Sequence, residues 1–81
     1  MKSVLSKVAA KALHGFDAPT RMRIRIAIEA IPNGDIKMLQ GQDGLFRLRV
    51  GKYRVLFTYM KRDETDVVAI LDIGSRGDIY K

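Results

Sequence analysis

The chain has 81 residues, of which 47% are hydrophobic and 30% are charged, a composition typical of one small globular domain spanning residues 1–81. It contains no cysteine and a single histidine, which excludes disulfide scaffolds, cysteine nucleophiles, thiolate metal sites and metal binding by paired histidines. No apolar run is long enough for a membrane span and no secretory leader is evident, so we expect a cytoplasmic protein. With these metal-binding chemistries excluded, we expect it to use neither a metal nor a cofactor.

Positive charge is concentrated in the first three quarters of the chain. Fifteen Lys and Arg residues against nine Asp and Glu give a net charge of +6. Residues 1–62 hold thirteen basic and four acidic side chains, whereas residues 63–81 hold two and five. A basic body of this kind favours a polyanionic partner, either nucleic acid or an acidic protein, and charge alone does not choose between them.

The first half of the chain predicts a short strand followed by two helices. Residues 2–5 suit an edge strand, and apolar residues then recur at helical spacing up to a stop at Gly15. Asp17 and Pro19 mark the start of a second helix. Residues 21–28 alternate charged and apolar side chains and would also suit a strand, but the capping signal favours a helix.

The second half predicts strands. Residues 33–44 hold three glycines and two aspartates, so we expect an irregular connector there. Alternating runs at residues 46–50 and 53–59 flank Gly51 and Lys52, which predicts a hairpin with a type II′ turn. After a looser turn at residues 61–66, an apolar run at 67–73 is typical of an interior strand covered on both faces.

The resulting order is β-α-α-β-β-β. Two helices separated from a run of strands predict an α+β domain, an antiparallel sheet with both helices packed on one face.

The predicted hairpin register separates a core face from a charged face. A two-residue turn places Arg49 directly opposite Arg54, with Arg47 on the same face. Like charges opposite each other destabilise a sheet, which points to an anion site, since guanidinium groups match phosphate oxygens. The alternative is that a carboxylate such as Asp72 or Asp78 neutralises one arginine, and the sequence leaves both possibilities open.

Three segments of the sequence carry a resemblance to a known family. Residues 37–41, 46–57 and 73–80, together with the order of elements, resemble the RelE/ParE superfamily of bacterial type II toxins, and within it the RelE branch. The resemblance covers nearly the whole chain and implies a single RelE-like toxin domain. It further implies cleavage of messenger RNA in the ribosomal A site, by metal-free attack of a 2′-hydroxyl on the adjacent phosphate.

The resemblance also assigns roles and partners. Arg54 matches the arginine that contacts the scissile phosphate, Arg76 the one near the leaving oxygen, and Tyr80 a tyrosine that stacks on the nucleotide and aids proton transfer. Arg49 completes the catalytic set implied by the resemblance. The RNA-binding set comprises Arg47, Lys37 and Lys52. The expected partners are the ribosome, messenger RNA and a cognate acidic antitoxin.

Two departures from the family pattern bear on these expectations. Arginines 47 and 49 stand where the best-known members have lysine, and arginine cannot act as a base, so base chemistry would fall to Tyr80 or to the substrate environment. Ser75 stands where many members have histidine. Two alternatives therefore remain open: a ParE-like inhibitor of DNA gyrase, and a non-catalytic basic module that only binds an antitoxin.

Overall fold

The computed structural model describes residues 2–39, 41 and 44–75. The elements are β1 (Lys2–Leu5), α1 (Lys7–His14), α2 (Ala18–Glu29), β2 (Asp35–Met38), β3 (Phe46–Val50), β4 (Tyr53–Arg62) and β5 (Thr65–Ser75). The strands form one sheet in the order β1-β5-β4-β3-β2. No helix in the described part of the chain is long and apolar enough to cross a membrane. The predicted α+β class is confirmed.

Two features of the sheet differ from the predicted order. The stretch predicted as an irregular connector contains strand β2, which pairs antiparallel with β3. This short strand is held because Ile36 packs against the core and the Leu39 N–H donates to the Leu45 carbonyl at 2.9 Å. At the other edge β1 pairs with β5 in parallel, so the sheet is mixed rather than wholly antiparallel.

The ambiguous stretch at residues 21–28 is helical, as the capping signal predicted. The Asp17 side chain accepts from the Thr20 N–H at 3.4 Å, and the hydrogen bond with the Thr20 side chain lowers the pKa of that carboxyl. Helical spacing then buries Ile24 and Ile28. A strand would also have put these two isoleucines on one face, opposite the charged side chains. The strand interpretation fails because the cap before this stretch begins a helix.

Both helices lie on one face of the sheet and form the core with it. Their buried side chains meet the inward side chains of β3, β4 and β5. The buried cluster is Ala9, Leu13, Ile24, Ile28, Ile31, Leu48, Val55, Phe57, Val68, Ile70 and Ile73. The opposite face of the sheet, called the open face below, carries none of these residues.

Strand β5 contains a β-bulge that brings more of its apolar run to the core. Leu71 is inserted opposite the Leu56/Phe57 step of β4, and Ile70 and Ile73 are therefore both buried beneath the helices. The predicted interior position of this strand is confirmed. Within the described residues, however, the helices cover only one of its faces, and the bulge explains part of the apolar run.

The connection from β4 to β5 is tighter than predicted. Arg62 pairs with Thr65, leaving a turn of only Asp63 and Glu64, whose φ angles are 51° and 64°. Positive φ at both central residues is the signature of a type I′ hairpin turn, whose twist matches that of the strands. The two strands therefore continue through the polar segment that the sequence suggested was a loose turn.

Ser6 fastens helix α1 to the bulge. Its hydroxyl accepts from the Ala9 N–H at 3.0 Å and donates to the Leu71 carbonyl at 2.8 Å. Its own N–H donates to the Ile70 carbonyl at 2.9 Å, which continues the parallel pairing of β1 with β5. One residue thus fixes both the start of the helix and its position on the sheet.

Replacing Ser6 by alanine should lower the free energy of unfolding by about 1–2 kcal/mol, because the helix loses its N-cap and the Leu71 carbonyl loses its donor. Urea titration followed by circular dichroism measures the change. Ser6→Thr keeps both hydrogen bonds and is the matched control. Equal stability of Ser6→Ala and Ser6→Thr would contradict the proposed role of the hydroxyl.

Candidate functional site

The hairpin of β3 and β4 places its arginines as the sequence predicted. Val50 pairs with Tyr53 and Arg49 with Arg54, so the two arginines lie directly opposite each other on the open face. Gly51 has a φ of 60° and Lys52 is not among the residues with positive φ, which fits a type II′ turn. The register follows from this turn together with the alternation of the flanking strands.

Strand β2 adds two charged residues that sequence analysis did not place. Lys37 pairs with Arg47 and Asp35 with Arg49, and both bring their side chains to the open face. We call Lys37, Arg47, Arg49 and Arg54 the open-face cations. Arg47 and Arg54 are half-buried, whereas Lys37 and Arg49 are exposed. Sequence analysis predicted no strand in this segment, and so it did not identify Asp35 as a neighbour of these cations.

None of the open-face cations forms an ion pair with a described carboxylate. Within the described residues the one salt bridge, with an N···O distance of 3.8 Å, joins Lys61 to Asp66 at the far end of the sheet. The Asp72 carboxylate instead accepts from the Ile73 N–H at 2.8 Å. Asp72 therefore does not neutralise an arginine as the alternative interpretation suggested, and Asp78 lies outside the described residues.

Strand geometry sets the spacing of these charges. Neighbouring strands lie about 4.8 Å apart, and residues two apart on one strand are separated by about 7 Å. The backbone positions of Arg47, Arg49 and Arg54 therefore fall within roughly one Debye length at physiological salt, so their mutual repulsion is only partly screened. Such a cluster can bind a dianionic or polyanionic group with several guanidinium donors at once.

Lys52 lies apart from the open-face cations. Its ammonium nitrogen is 5.5 Å from the centroid of the Tyr53 ring, and that ring packs 4.9 Å from the ring of Phe16 on the helix side. The structure therefore brings together four of the predicted site residues and sets Lys52 at the tip of the hairpin. Arg76 and Tyr80 lie outside the described residues, and their roles stay predictions.

The described residues offer no ready metal site. No group of three or more acidic or histidine side chains is clustered among them. Strand β5 ends at Ser75, which pairs with Tyr53 across the sheet.

Replacing Arg54 by threonine should raise the free energy of unfolding by about 0.5 kcal/mol, because it removes a like-charge pair and places a β-branched residue in a strand. On its other side Arg54 faces Gly74, and within the described residues it forms no salt bridge with Asp72, which lies on the same face two residues before Gly74. Urea titration at low and high salt measures the effect, which should shrink as salt rises.

Arg49→Thr is the matched control for this stability gain. It removes the same repulsion but also the attraction to Asp35, which lies opposite it on β2. Its gain should therefore be smaller than that of Arg54→Thr. A larger gain for Arg49→Thr would show that repulsion between the two arginines does not govern stability here.

Comparison with solved structures gives the same fold over nearly the whole chain. The RelB–RelE antitoxin–toxin complex from Methanococcus jannaschii matches with a TM-score of 0.72 and 25% identity, over 95% of this chain and 94% of that chain. The archaeal RelE–RelB complex from Pyrococcus horikoshii OT3 matches with a TM-score of 0.70 and 28% identity, over 95% and 96%. A YoeB/ParE toxin from Agrobacterium tumefaciens, 16% identical, shares the fold with a TM-score of 0.75, over 94% and 99%.

Sequence comparison identifies the family. No curated protein sequence matches the chain. A family model does match it over residues 2–80, and that model describes the ParE toxin of the type II toxin–antitoxin system parDE. The resemblance inferred from residues 37–41, 46–57 and 73–80 and from the order of elements is thereby confirmed at the level of the superfamily. The chain belongs to the ParE toxin family, within the RelE/ParE superfamily of type II toxins.

Proposed function

We propose that this toxin cleaves messenger RNA in the ribosomal A site. The observation that carries the proposal is the pair of Arg49 and Arg54, opposite each other on the open face with no ion-pair partner among the described residues. A fold that tolerates this repulsion gains binding energy when a phosphate lies between the two guanidinium groups. The similarity to RelE structures at 25% and 28% identity supports the same branch of the superfamily.

The reaction proposed is an internal phosphoryl transfer. The ribose 2′ oxygen bonds to the adjacent phosphorus while the bond to the 5′ oxygen breaks, giving a cyclic phosphate and a 5′-hydroxyl. The proton of the 2′-hydroxyl ends on the leaving 5′ oxygen. Negative charge builds on the phosphate oxygens during this step, and fixed guanidinium donors stabilise it. The ribosome supplies the positioning of the messenger.

Six of the seven predicted site residues have a part in this scheme. Arg49 and Arg54 bind the reacting phosphate, while Arg47 and Lys37 hold neighbouring phosphates along the open face. Arginine stays protonated, so it acts as an electrostatic stabiliser and not as the base. The roles at the leaving oxygen and in proton transfer fall to Arg76 and Tyr80, on the strength of the resemblance alone.

An acidic antitoxin is the proposed partner that holds the toxin inactive. In the two archaeal structures RelE is bound to RelB. The excess of thirteen basic over four acidic side chains in residues 1–62 of this chain attracts an acidic segment to the surface that binds RNA. Competition between antitoxin and RNA for the open-face cations would then account for inhibition.

Inhibition of DNA gyrase is the second candidate function. It is favoured by one observation, that the matching family model describes ParE rather than RelE. ParE-type toxins share this fold and are not nucleases. The same basic surface would then contact an acidic surface of the enzyme or its DNA, without a chemical step.

A paired assay separates the two functions. The purified toxin is added to translating ribosomes, and new 5′ ends in the messenger are mapped by primer extension. In parallel it is added to DNA gyrase, and supercoiling is followed on gels. Codon-spaced cleavage with unchanged supercoiling is the expected result. Intact messenger with inhibited supercoiling would replace the proposal with gyrase inhibition, and no effect in either assay would indicate a module that only binds antitoxin.

A further inference from the structure

The three arginines of helix α2 reach three different parts of the structure. The Arg21 guanidinium donates to the His14 carbonyl at 3.1 Å and so ties α2 to the end of α1. Arg25 lines a cleft of about 230 Å³ together with Glu29, beside strand β1. Arg23 reaches the tip of the β3–β4 hairpin, where a Cβ built on Gly51 would lie 3.0 Å from its Nη2.

Arg23 thereby joins the cations of the hairpin. Arg49 and Arg54 lie one residue pair away from the turn on the open face, and Lys52 lies in the turn itself with its ammonium group over the Tyr53 ring. The guanidinium of Arg23 approaches the same turn from the helix side. Within the described residues neither Arg23 nor Lys52 forms a salt bridge.

The turn between these cations carries no side chain at its first position, Gly51. Gly51 has no side chain, and its φ of 60° disfavours any other residue there. A chain crossing the tip would therefore meet backbone and cationic groups but no bulky side chain from Gly51. Positive charge thus continues from the open face, around the hairpin tip, to helix α2.

We propose that RNA bound at Arg49 and Arg54 continues around the hairpin tip, so that a phosphate outside the cleaved link contacts Arg23. This inference rests on the proposed function. RNA is favoured over an acidic protein because a polynucleotide carries a charge at every link, so a strand fixed at one phosphate presents further phosphates along a continuous line of cations. Arg23 would then set which length and direction of RNA the toxin holds.

Salt-dependent binding of RNA tests this inference. The probe is a short single-stranded RNA with 2′-O-methyl groups, which cannot be cleaved, and its affinity is measured by fluorescence anisotropy over a range of salt. Arg23→Gln should make the slope of log K against log salt shallower by about 0.7. Over the tenfold range from 0.1 M to 1 M salt, the affinity of the variant should therefore fall roughly fivefold less than that of the wild type. Arg23→Lys keeps the charge and should keep the slope.

Arg25→Gln is the matched control. It makes the same charge change on the same helix, but about 200° around the helix axis and beside Glu29. Its slope should equal that of the wild type. An equal loss in Arg23→Gln and Arg25→Gln would overturn the inference, because it would show only an effect of net charge.

Arg54→Gln in the same series separates failure of this inference from failure of the proposed function. Weaker RNA binding by Arg54→Gln with an unchanged slope for Arg23→Gln would overturn the role of Arg23 alone. Absence of RNA binding by the wild type would overturn this inference alone, because A-site cleavage relies on the ribosome to position the messenger. RNA binding that is indifferent to Arg54→Gln would overturn both. Loss of affinity for the acidic antitoxin but not for RNA in Arg23→Gln would assign this surface to the protein partner instead. Thermal unfolding of each variant verifies that the fold is intact.

Discussion

Replacing Arg54 by glutamine lowers the rate of messenger cleavage on the ribosome by about a hundredfold, if the open-face cations bind the reacting phosphate. A single preorganised donor to a developing oxyanion contributes about 3 kcal/mol to transition-state stabilisation. Arg54 is half-buried and faces Arg49 from β4, the middle strand of the sheet, where solvent screens its charge less than at the rim. Single-turnover cleavage of ribosome-bound messenger measures the chemical step, and the affinity for the ribosome should fall much less.

Two further variants define this result. Arg62→Gln makes the same change at the far end of β4, beside the Asp63–Glu64 turn, and should cleave at the wild-type rate. Arg54→Lys keeps the charge but not the two-pronged donor geometry, so its rate should lie between those of the wild type and Arg54→Gln. Cleavage by Arg54→Gln within a few fold of wild type would remove Arg54 from the site. Because loss of this charge should stabilise the sheet, unfolding would not explain a slow variant.

The hairpin could be predicted from sequence because two independent signals agree on it. Gly51 supplies the positive φ of a two-residue turn, and the alternation of the flanking strands allows only one register that buries their apolar residues. The pairing of Arg49 with Arg54 follows directly. Helix α2 was predictable in spite of its alternating charges because Asp17 caps it.

Strand β2 could not be predicted, because its stability is tertiary. Its four residues include one half-buried apolar side chain, Ile36, and they are ordered by pairing with β3 rather than by local preference. The glycines at 34, 41 and 44, all with positive φ, gave the segment the composition of a loop. The bulge at Leu71 could not be predicted either, because an extra residue in an all-apolar run does not change the hydrophobic pattern of that run.

The same limits apply to the candidate site. The face shared by Arg47, Arg49 and Arg54 followed from alternation, whereas the positions of Lys37 and Asp35 beside them depended on the strand that was missed. The contact of Arg23 with the turn could not be predicted from sequence either. The three arginines of α2 are two residues apart, and only the packing of the helix on the sheet decides which of them reaches the hairpin.

Phe57→Ala should have the largest effect on stability, lowering the free energy of unfolding by about 3–5 kcal/mol. Phe57 is fully buried, its ring lies 5.6 Å from that of Phe46, and the Tyr59 ring meets it edge-on at 5.5 Å. A domain of this size has a total stability of roughly 4–12 kcal/mol, so the variant would lose about a quarter of its stability or more. Urea titration and thermal unfolding measure the loss.

This variant also shows how a core residue and a site residue differ in their effect on cleavage. Any activity that Phe57→Ala loses should come from unfolding of the strand that holds Arg54, so cooling or a stabilising bound antitoxin should restore the folded fraction. Phe57→Leu fills more of the cavity and should lose less stability than Phe57→Ala. Arg54→Gln, in contrast, should stay folded and stay slow at every temperature. Full stability in Phe57→Ala would mean that the core does not depend on this ring.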